Sequence, residues 1–580
     1  MKTSRRTFLT VAAGGAVGAA ALGSAALYRS PRAREIYVRM MRPRVDPRIV
    51  DPPGTEVLYN GIRLQSPWPP FRRRLERELE FPPYLQKPPA VIPIDVGRQL
   101  FVDDFLIEES NLDRSYHSAS YIEGNPVLAP ATEWDKRDVA AALAGRPARP
   151  TAMPFSDGVW FDPVDRRFKI WYTAGYGRVT CYAESEDGLA WVRPPLDVIP
   201  GTNIVLEEVR DSSTVWLDLD EPNPRLRYKM LLFLQNIRHL RQFASPDGIH
   251  WMPAGLPGPS GDRTTMFYNP FRKVWVYSLR DHRSHESYLG RHRRYVEARN
   301  FCSLTPWTSD EAVGWIAADD LDRPRVDIGF QPELYNLDCV AYESVMLGMF
   351  SMYYGDPSDR QKPNHIQVGF SRDGFHWARP SRDPFINVSE RAGDWNWANV
   401  QSAGGCCLVV GDRLHFYVSG RAGVQGTVSP GACSTGLATL RRDGFASLDA
   451  IVDRLPRAAG LSPRVRAVTT RTVRFTGGHL FVNAAIDGGE LRADVLDADG
   501  KILQPFAAGR CTAVTGDSTR AEVTWPGASL GDLAGQPVRF RFHLRDGRLY
   551  AFWVARTPRG SSRGYVAAGG PDFSSRIDVD

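Results

Sequence analysis

A turn motif recurs down this chain and limits what it can fold into. It reads Ser185-Glu186-Asp187-Gly188-Leu189-Ala190-Trp191, then Ser245-Pro246-Asp247-Gly248-Ile249-His250-Trp251, then Ser371-Arg372-Asp373-Gly374-Phe375-His376-Trp377. A degraded copy stands at Arg441-Arg442-Asp443-Gly444-Phe445, and a worn one at Ser309-Asp310 with Trp315. The aspartates lie 60, 126 and 70 residues apart, so the worn copy falls near the middle of the long gap. Copies at that spacing predict a repeat fold. Asp-Gly tolerates the positive φ of a tight turn and joins two antiparallel strands. Alternating stretches precede the turns at 179–184, 240–244 and 366–370. A second hairpin lies upstream at 159–172, with counterparts at 215–233, 266–277, 340–354 and 406–417. Each unit is therefore four strands, and four-stranded sheets repeated radially make a β-propeller. The expectation is an all-β chain whose five-bladed β-propeller has its blades between about residue 150 and residue 455. A β-sandwich or a string of unrelated hairpins is the alternative, and the same turn at the same place in each unit speaks against it.

The flanking segments read differently. After about residue 460 the alternating runs Val473-Arg474-Phe475, 479–483, 491–495, 521–525, 538–543 and 549–553 are punctuated by Gly and Asp. They predict a C-terminal β-sandwich, placed at 459–580, beside a propeller at 95–458. Residues 31–94 are Pro-rich, with Pro-Pro pairs at 52, 69, 82 and 88, and read as a tether or strap. Ser4-Arg5-Arg6-Thr7-Phe8-Leu9 precedes an apolar run from Val11 to Leu27, so residues 1–30 resemble a twin-arginine export signal. That resemblance implies a periplasmic or extracellular protein, either cleaved or kept on a membrane tether. The formal charge of +6 sits in the first 48 residues, which carry ten basic and two acidic side chains, so the rest is slightly acidic. No basic face remains for a phosphate backbone, and nucleic acid is not an expected partner. Seven cysteines show no Cys-x-x-Cys pair and read mostly as small buried apolar residues.

In a four-stranded blade the innermost strand starts on the face opposite the Asp-Gly turns. Asp187, Asp247 and Asp373 are accordingly turn formers, and the strand starts hold the candidates. They read Ser156-Asp157-Gly158, Asp211-Ser212-Ser213, Asp262-Arg263-Thr264, Asn336-Leu337-Asp338 and Asn399-Val400-Gln401. Four aspartates at one equivalent position would ring the mouth of the central channel. Crowded carboxylates repel, so at least one should keep its proton near neutrality, giving an acid beside a base. Glycoside hydrolysis needs that pair. Glu333 is a further candidate proton donor. Tyr335 and Asn336 are candidates to orient or stack a sugar, with His282, Arg293, His365 and Gln401 as walls of a polar cleft. A structural ring is the competing reading, in which the carboxylates bond to backbone or hold a calcium ion. No cofactor is required by the hydrolytic reading.

The chain resembles the five-bladed propeller glycoside hydrolases, the fold of families 32, 43, 68, 117 and 130. The resemblance covers about residues 95–455 and rests on Gly158-Val159-Trp160-Phe161-Asp162-Pro163, Lys169 to Gly175, the Ser-x-Asp-Gly-x-x-Trp turns and Gly201-Thr202-Asn203-Ile204-Val205. It implies a catalytic carboxylate at Asp157 and an assisting one at Asp211. Its acid is usually a third-blade Glu, and here Asp262 holds that place. The invertase-type Asn-Asp-Pro-Asn-Gly signature is absent, and Arg382-Asp383-Pro384 follows a turn. The expected activity is cleavage of a glycosidic bond in a glycan. A non-catalytic carbohydrate-binding or scaffold propeller is the alternative, and a phosphorylase would need a basic anion site beside the carboxylates.

Overall fold

The computed structural model describes residues 56–580 apart from 72–74, 139–140, 143–144, 146–147, 282–288, 303–305, 359, 361, 424–430 and 451–465. The export-type motif at residues 1–30 and the candidate His282 lie outside the described residues. The chain is nearly all β.

Three sheets are four-stranded antiparallel meanders. The first unit is Ala152–Asp162, Arg167–Ala174, Val179–Ser185 and Ile204–Leu206; the second is Arg210–Leu217, Tyr228–Leu234, His239–Ser245 and Met252–Gly255; the third is Thr265–Asn269, Val274–Asp281, His292–Ala298 and Val313–Ile316. A nine-stranded sheet carries two further meanders, Glu333–Glu343 with Val345–Tyr353 and Asn364–Ser371, and Asn399–Ser402 with Arg413–Arg421 and Cys433–Arg441. They join through one parallel bridge, Asn364 to Asn399. The outer edge of the last meander pairs with Ser120–Tyr121, a strand from ahead of the first unit.

The Asp-Gly turns do two jobs. Within each, the Ser hydroxyl accepts the Gly N–H (2.9 Å at Ser185, Ser245 and Ser371) while the Asp carboxylate accepts the two following N–H groups. These bonds satisfy the turn donors locally. Between units, turn carbonyls accept from a neighbour's buried ring. Trp171 of the first unit donates to Gly248 O (2.6 Å), Trp315 of the third to Phe375 O (2.8 Å), and Tyr417 of the last meander to Gly188 O (2.6 Å). The glycines are required twice over. Gly188 and Gly248 have φ of +75° and +82°, and a Cβ there would come within 2.5 Å of Tyr417 Oη and a Trp171 ring carbon.

The degraded copy at Asp443 departs from this pattern. Asp443 is buried and takes Arg98 Nη1 (2.9 Å), Tyr342 Oη (2.6 Å) and Asn483 Nδ2 (2.9 Å). Glu343 stands beside it between Arg98 and Arg442, with Ser562 donating to it at 2.6 Å. This buried charge cluster ties the meanders to the C-terminal strands.

Those strands form a ten-stranded sheet built on two long elements, His479–Asp497 and Val538–Ala555. Its pairing crosses the expected boundaries at 95 and 458. Ile107–Ser110 pairs with Arg466–Thr470, Asp113–Tyr116 with Ala446–Ala450, and Ala446–Ala450 with the second long strand. Residues 99–116 and 446–450 thus belong to this sheet, because edge strands close together in space were needed to complete it. It has a core of its own around Phe475, Phe540, Phe542 and Phe552, which also takes in Leu58, Leu64, Tyr84 and Ile92. The Pro-rich segment is therefore packed over 56–93, with Asn60 Nδ2 donating to Arg372 O (2.9 Å) and Tyr84 Oη to His376 O (3.1 Å). All cysteines but Cys302 are buried. Among the described residues no helix is long and apolar enough to cross a membrane.

The C-terminal segment also closes one end of the space between the inner strands. Tyr565–Val566 pairs with Tyr342 and Glu343, Phe161 N–H donates to Ala568 O (3.0 Å), and Val409 N–H to Gly569 O (2.9 Å). The cavity left there, lined by Trp160, Trp216, Val340 and Ala567, holds about 40 Å³. That is too small for a sugar ring.

Tyr417→Phe deletes one inter-unit bond and leaves the Gly188 carbonyl buried without its donor. It should lower unfolding free energy by about 1–3 kcal/mol, read from urea titrations, whereas an unchanged midpoint would show that the bond is not holding the units together.

Candidate active site

The candidate residues lie at the first halves of the inner strands, opposite the C-terminal segment. Ala152–Asp162 reaches this end through a bulge, since its register with the neighbouring strand breaks between Met153 and Gly158. Phe155 and Ser156 have φ of +40° and +69°, and Gly158 has +130°. Positive φ at two non-glycine residues costs about 1–3 kcal/mol each and gathers where surroundings over-determine the backbone. Here Ser419 Oγ accepts the Phe155 N–H (2.9 Å), and Gly404 O accepts the Val159 N–H (3.3 Å). Glycine at 158 is fixed by proximity as well, because a Cβ there would sit 3.0 Å from Val215 O.

The bulge links Ser156, the residue before Asp157, to Asp338. Ser156 Oγ donates to Asp338 Oδ2 (3.0 Å), and the same oxygen accepts from Asn336 Nδ2 (2.9 Å) and Ser402 Oγ (2.6 Å). Asp157 takes Arg210 Nη2 at 2.6 Å, with both side chains fully buried. The second oxygen of each carboxylate has no hydrogen-bond partner in the structure. Burial pushes each carboxyl up to about 6. Arg210 opposes the rise at Asp157, and hydrogen bonding from Ser402 opposes it at Asp338. The cause is therefore desolvation, not the carboxylate–carboxylate repulsion expected from four aspartates in a ring. The two groups also differ in kind. Asp157 has a cation in direct contact, which favours its anion; Asp338 has only neutral donors in direct contact.

The other carboxylates are partly exposed and held by nearby groups. Asp262 is ion-paired with Arg280, and Glu333 with Arg291 (2.6 Å). Asp211 accepts from Ser212 N–H (2.9 Å) and distantly from Gln235 (3.4 Å). Ser212 Oγ donates to Asp262 O (2.6 Å), tying the second and third inner strands at this end.

The expected binding residues divide. Tyr335 is buried with its ring faced by Arg263, Arg280 and Arg291, at 5.7, 6.0 and 5.4 Å from the centroid. Asn336 spends its amide on Ser156 Oγ and Asp338. Gln401 is buried and donates to Asn399 Oδ1 (2.8 Å). Arg293 is fully buried, and its guanidinium goes to Ser278 Oγ (2.9 Å), Arg263 O (2.7 Å), Ser278 O (2.5 Å) and Tyr335 O (3.3 Å). It clamps strand starts and does not line a cleft wall. His365 packs against Tyr354 (ring centroids 4.9 Å, Nε2 to Oη 3.1 Å), and burial holds its ring down to about 4, so it is a neutral core histidine.

Arg210, Arg263 and Arg421 were not among the expected site residues. Arg210, Arg263 and Arg280 each adjoin an aspartate in sequence, which was the available signal. Arg263 and Arg421 are buried and pair with no carboxylate among the described residues. Among the described residues no group of three or more His, Cys, Asp or Glu is arranged to hold a metal ion.

No family model matches the chain, and no curated protein does. Among solved structures it is similar to an N-acetylgalactosamine deacetylase from F. plautii in complex with blood group B trisaccharide (13% identity, TM-score 0.35, 57% of this chain and 96% of that one). It is also similar to a thermostable family-43 glycoside hydrolase (13%, 0.35, 53% and 96%) and to an alpha-L-arabinofuranosidase from Lactobacillus brevis (10%, 0.35, 54% and 92%).

A raised carboxyl pKa makes a signed claim about stability. Asp338 binds its proton more tightly folded than unfolded, so its contribution is fully present below the ordinary aspartate value of 3.8 and is lost as pH rises through about 6. Asp338→Asn is neutral throughout. It should melt above the natural chain at about pH 8 and not at about pH 4, by scanning calorimetry; equal melting at the higher pH would refute the assignment.

Proposed function

We propose that this chain is an exported glycoside hydrolase, a five-bladed propeller with a C-terminal β-sandwich, cleaving a glycan at the open end of its central channel. One observation carries the reading. Two buried carboxyls from separate units lie near the same bulge, Asp338 bonded to Ser156 and Asp157 next to it in sequence, each with one oxygen unpartnered among the described residues and its pKa raised to about 6. That is what acid–base cleavage of an acetal requires.

The contacts distribute the roles. Asp157, against Arg210, ionises more readily and serves as base or nucleophile. Asp338, with no cation in direct contact, keeps the proton and delivers it to the departing oxygen. Asp211, Asp262 and Glu333 stand nearer solvent with Arg280 and Arg291 and set the field at the mouth. Tyr335 supplies a ring face. The strained Phe155–Ser156 bulge holds Asp157 in place before substrate arrives, so little reorganisation is left for the transition state.

A non-catalytic carbohydrate-binding propeller is the second reading. The ion pairs at Asp157, Asp262 and Glu333 favour it, because paired carboxylates are also what a purely structural ring would show.

A panel of aryl glycosides and the matching alkyl glycosides separates the two. Asp338→Asn should lose about 10²–10⁴ in kcat on alkyl glycosides. It should lose much less on nitrophenyl glycosides, whose leaving groups need no proton. The natural enzyme should also lose rate above about pH 6, as the acid ionises. Asp157→Asn should abolish both reactions. It also strands Arg210 in the interior, so its melting temperature should fall, and folding must be checked alongside. Saturable glycan binding with no turnover on any substrate would replace hydrolysis by the binding reading.

A further inference from the structure

Not every cation near the candidate carboxylates is ion-paired. Asp157 answers Arg210, Asp262 answers Arg280, and Glu333 answers Arg291. Arg263 and Arg421 are left over. They are 1% and 3% exposed, and neither has a carboxylate within ion-pair distance among the described residues. Among the described residues Arg263 reaches only Phe155 O and Ser156 Oγ, each at a long 3.3 Å, and its Nε has no hydrogen-bond partner. Its guanidinium carbon sits over the Phe155 ring, 3.9 Å from the centroid. Arg421 donates to Tyr176 Oη, also at 3.3 Å, and sits over the same Phe155 ring at 5.0 Å; its Nε is likewise unpartnered. The two guanidiniums therefore flank one phenyl ring in the strained bulge, one residue from Ser156 and two from Asp157. Asp211 is the acid whose field reaches Arg263, Arg280 and Arg421 together, yet it forms an ion pair with none of them among the described residues. Tyr335 completes the wall. Despite burial its hydroxyl is held below the usual phenol range by Lys362, Arg263 and Arg421.

Buried guanidiniums without counter-ions are costly, and they are kept where an anion arrives to use them. Planar forks beside an aromatic face suit a carboxylate on a ring better than a compact point charge would. We propose that the glycan carries a negative charge, a uronate-type carboxylate on the sugar bound beside Asp157, held by Arg263 and Arg421 around the Phe155 ring with Arg280 at the rim. This rests on the carbohydrate reading of the same site. It adds the substrate class.

Isothermal titration of the full chain tests it. The ligands are methyl glycosides of glucuronate and galacturonate, their methyl esters, and inorganic phosphate. The acid should bind at least about tenfold tighter than its ester, and rising salt should shrink the difference. Arg421→Gln and Arg280→Gln should each cut that preference several-fold. Arg263→Gln should do the same where it folds, and the first two keep the test intact where it does not. Equal affinity for acid and ester would overturn the proposal. So would phosphate binding at these arginines with no gain from the uronate, which would make the anion a free acceptor and point to phosphorolysis. The outcome is separable from hydrolysis. Uronate preference without turnover removes the hydrolase and keeps the acidic ligand; cleavage of neutral glycosides with no acid preference does the reverse.

Discussion

The fold hangs on a backbone carbonyl presented by a side-chain-stapled turn. Asp187, Asp247 and Asp373 accept the local N–H groups, which fixes the turn and leaves a carbonyl pointing outward. Trp171, Trp315 and Tyr417 then reach across to those carbonyls from neighbouring sheets. A ring of sheets has no covalent closure of its own, and apolar packing is non-directional. Directional bonds from large buried rings set the angle at which one sheet meets the next. The bond from Tyr417 back to Gly188 matters most, because it joins the last meander to the first unit across 229 residues.

Once the sheets are set in that order, the opposite ends of the inner strands have no freedom to disperse. Asp157 and Asp338 are 181 residues apart in sequence and share Ser156 as a neighbour. The far end is filled by residues 565–570. The charge network at Glu343 and Asp443 locks that plug to the C-terminal sheet through Arg98, Arg442 and Ser562. The C-terminal sheet is therefore part of the site's construction, since it supports the segment that blinds the channel.

The sequence showed what is local and hid what is distant. The turns, the hairpins and the acidic strand starts were legible because each is written within a few residues. Strand partners were not: nothing near Asp113–Tyr116 says that Ala446–Ala450 will lie beside it. The carboxylates were legible at the site and their counter-ions were not. Arg210 adjoins Asp211 in sequence and yet serves Asp157, because successive residues of a strand point to opposite sides. Both carboxyls are raised to about 6, and the cause is burial in place of the expected mutual repulsion. Arg293 and His365 looked like cleft residues because polar side chains near strand starts face ligands as readily as they face carbonyls, and only the packing distinguishes the two cases.

The surplus arginines and the buried acid act on one another. Arg263 lowers the proton affinity of both Asp157 and Asp338. A carboxylate seated on Arg263 would cancel that field and exclude water, and both changes raise the pKa of nearby carboxyls. Asp338 would then hold its proton to higher pH in the complex than in the free protein. Asp157 would resist the same shift better, because Arg210 touches it directly. Binding an acidic sugar would thus widen the gap between the two carboxyls, so the ligand would sharpen the division between acid and base that its own cleavage needs.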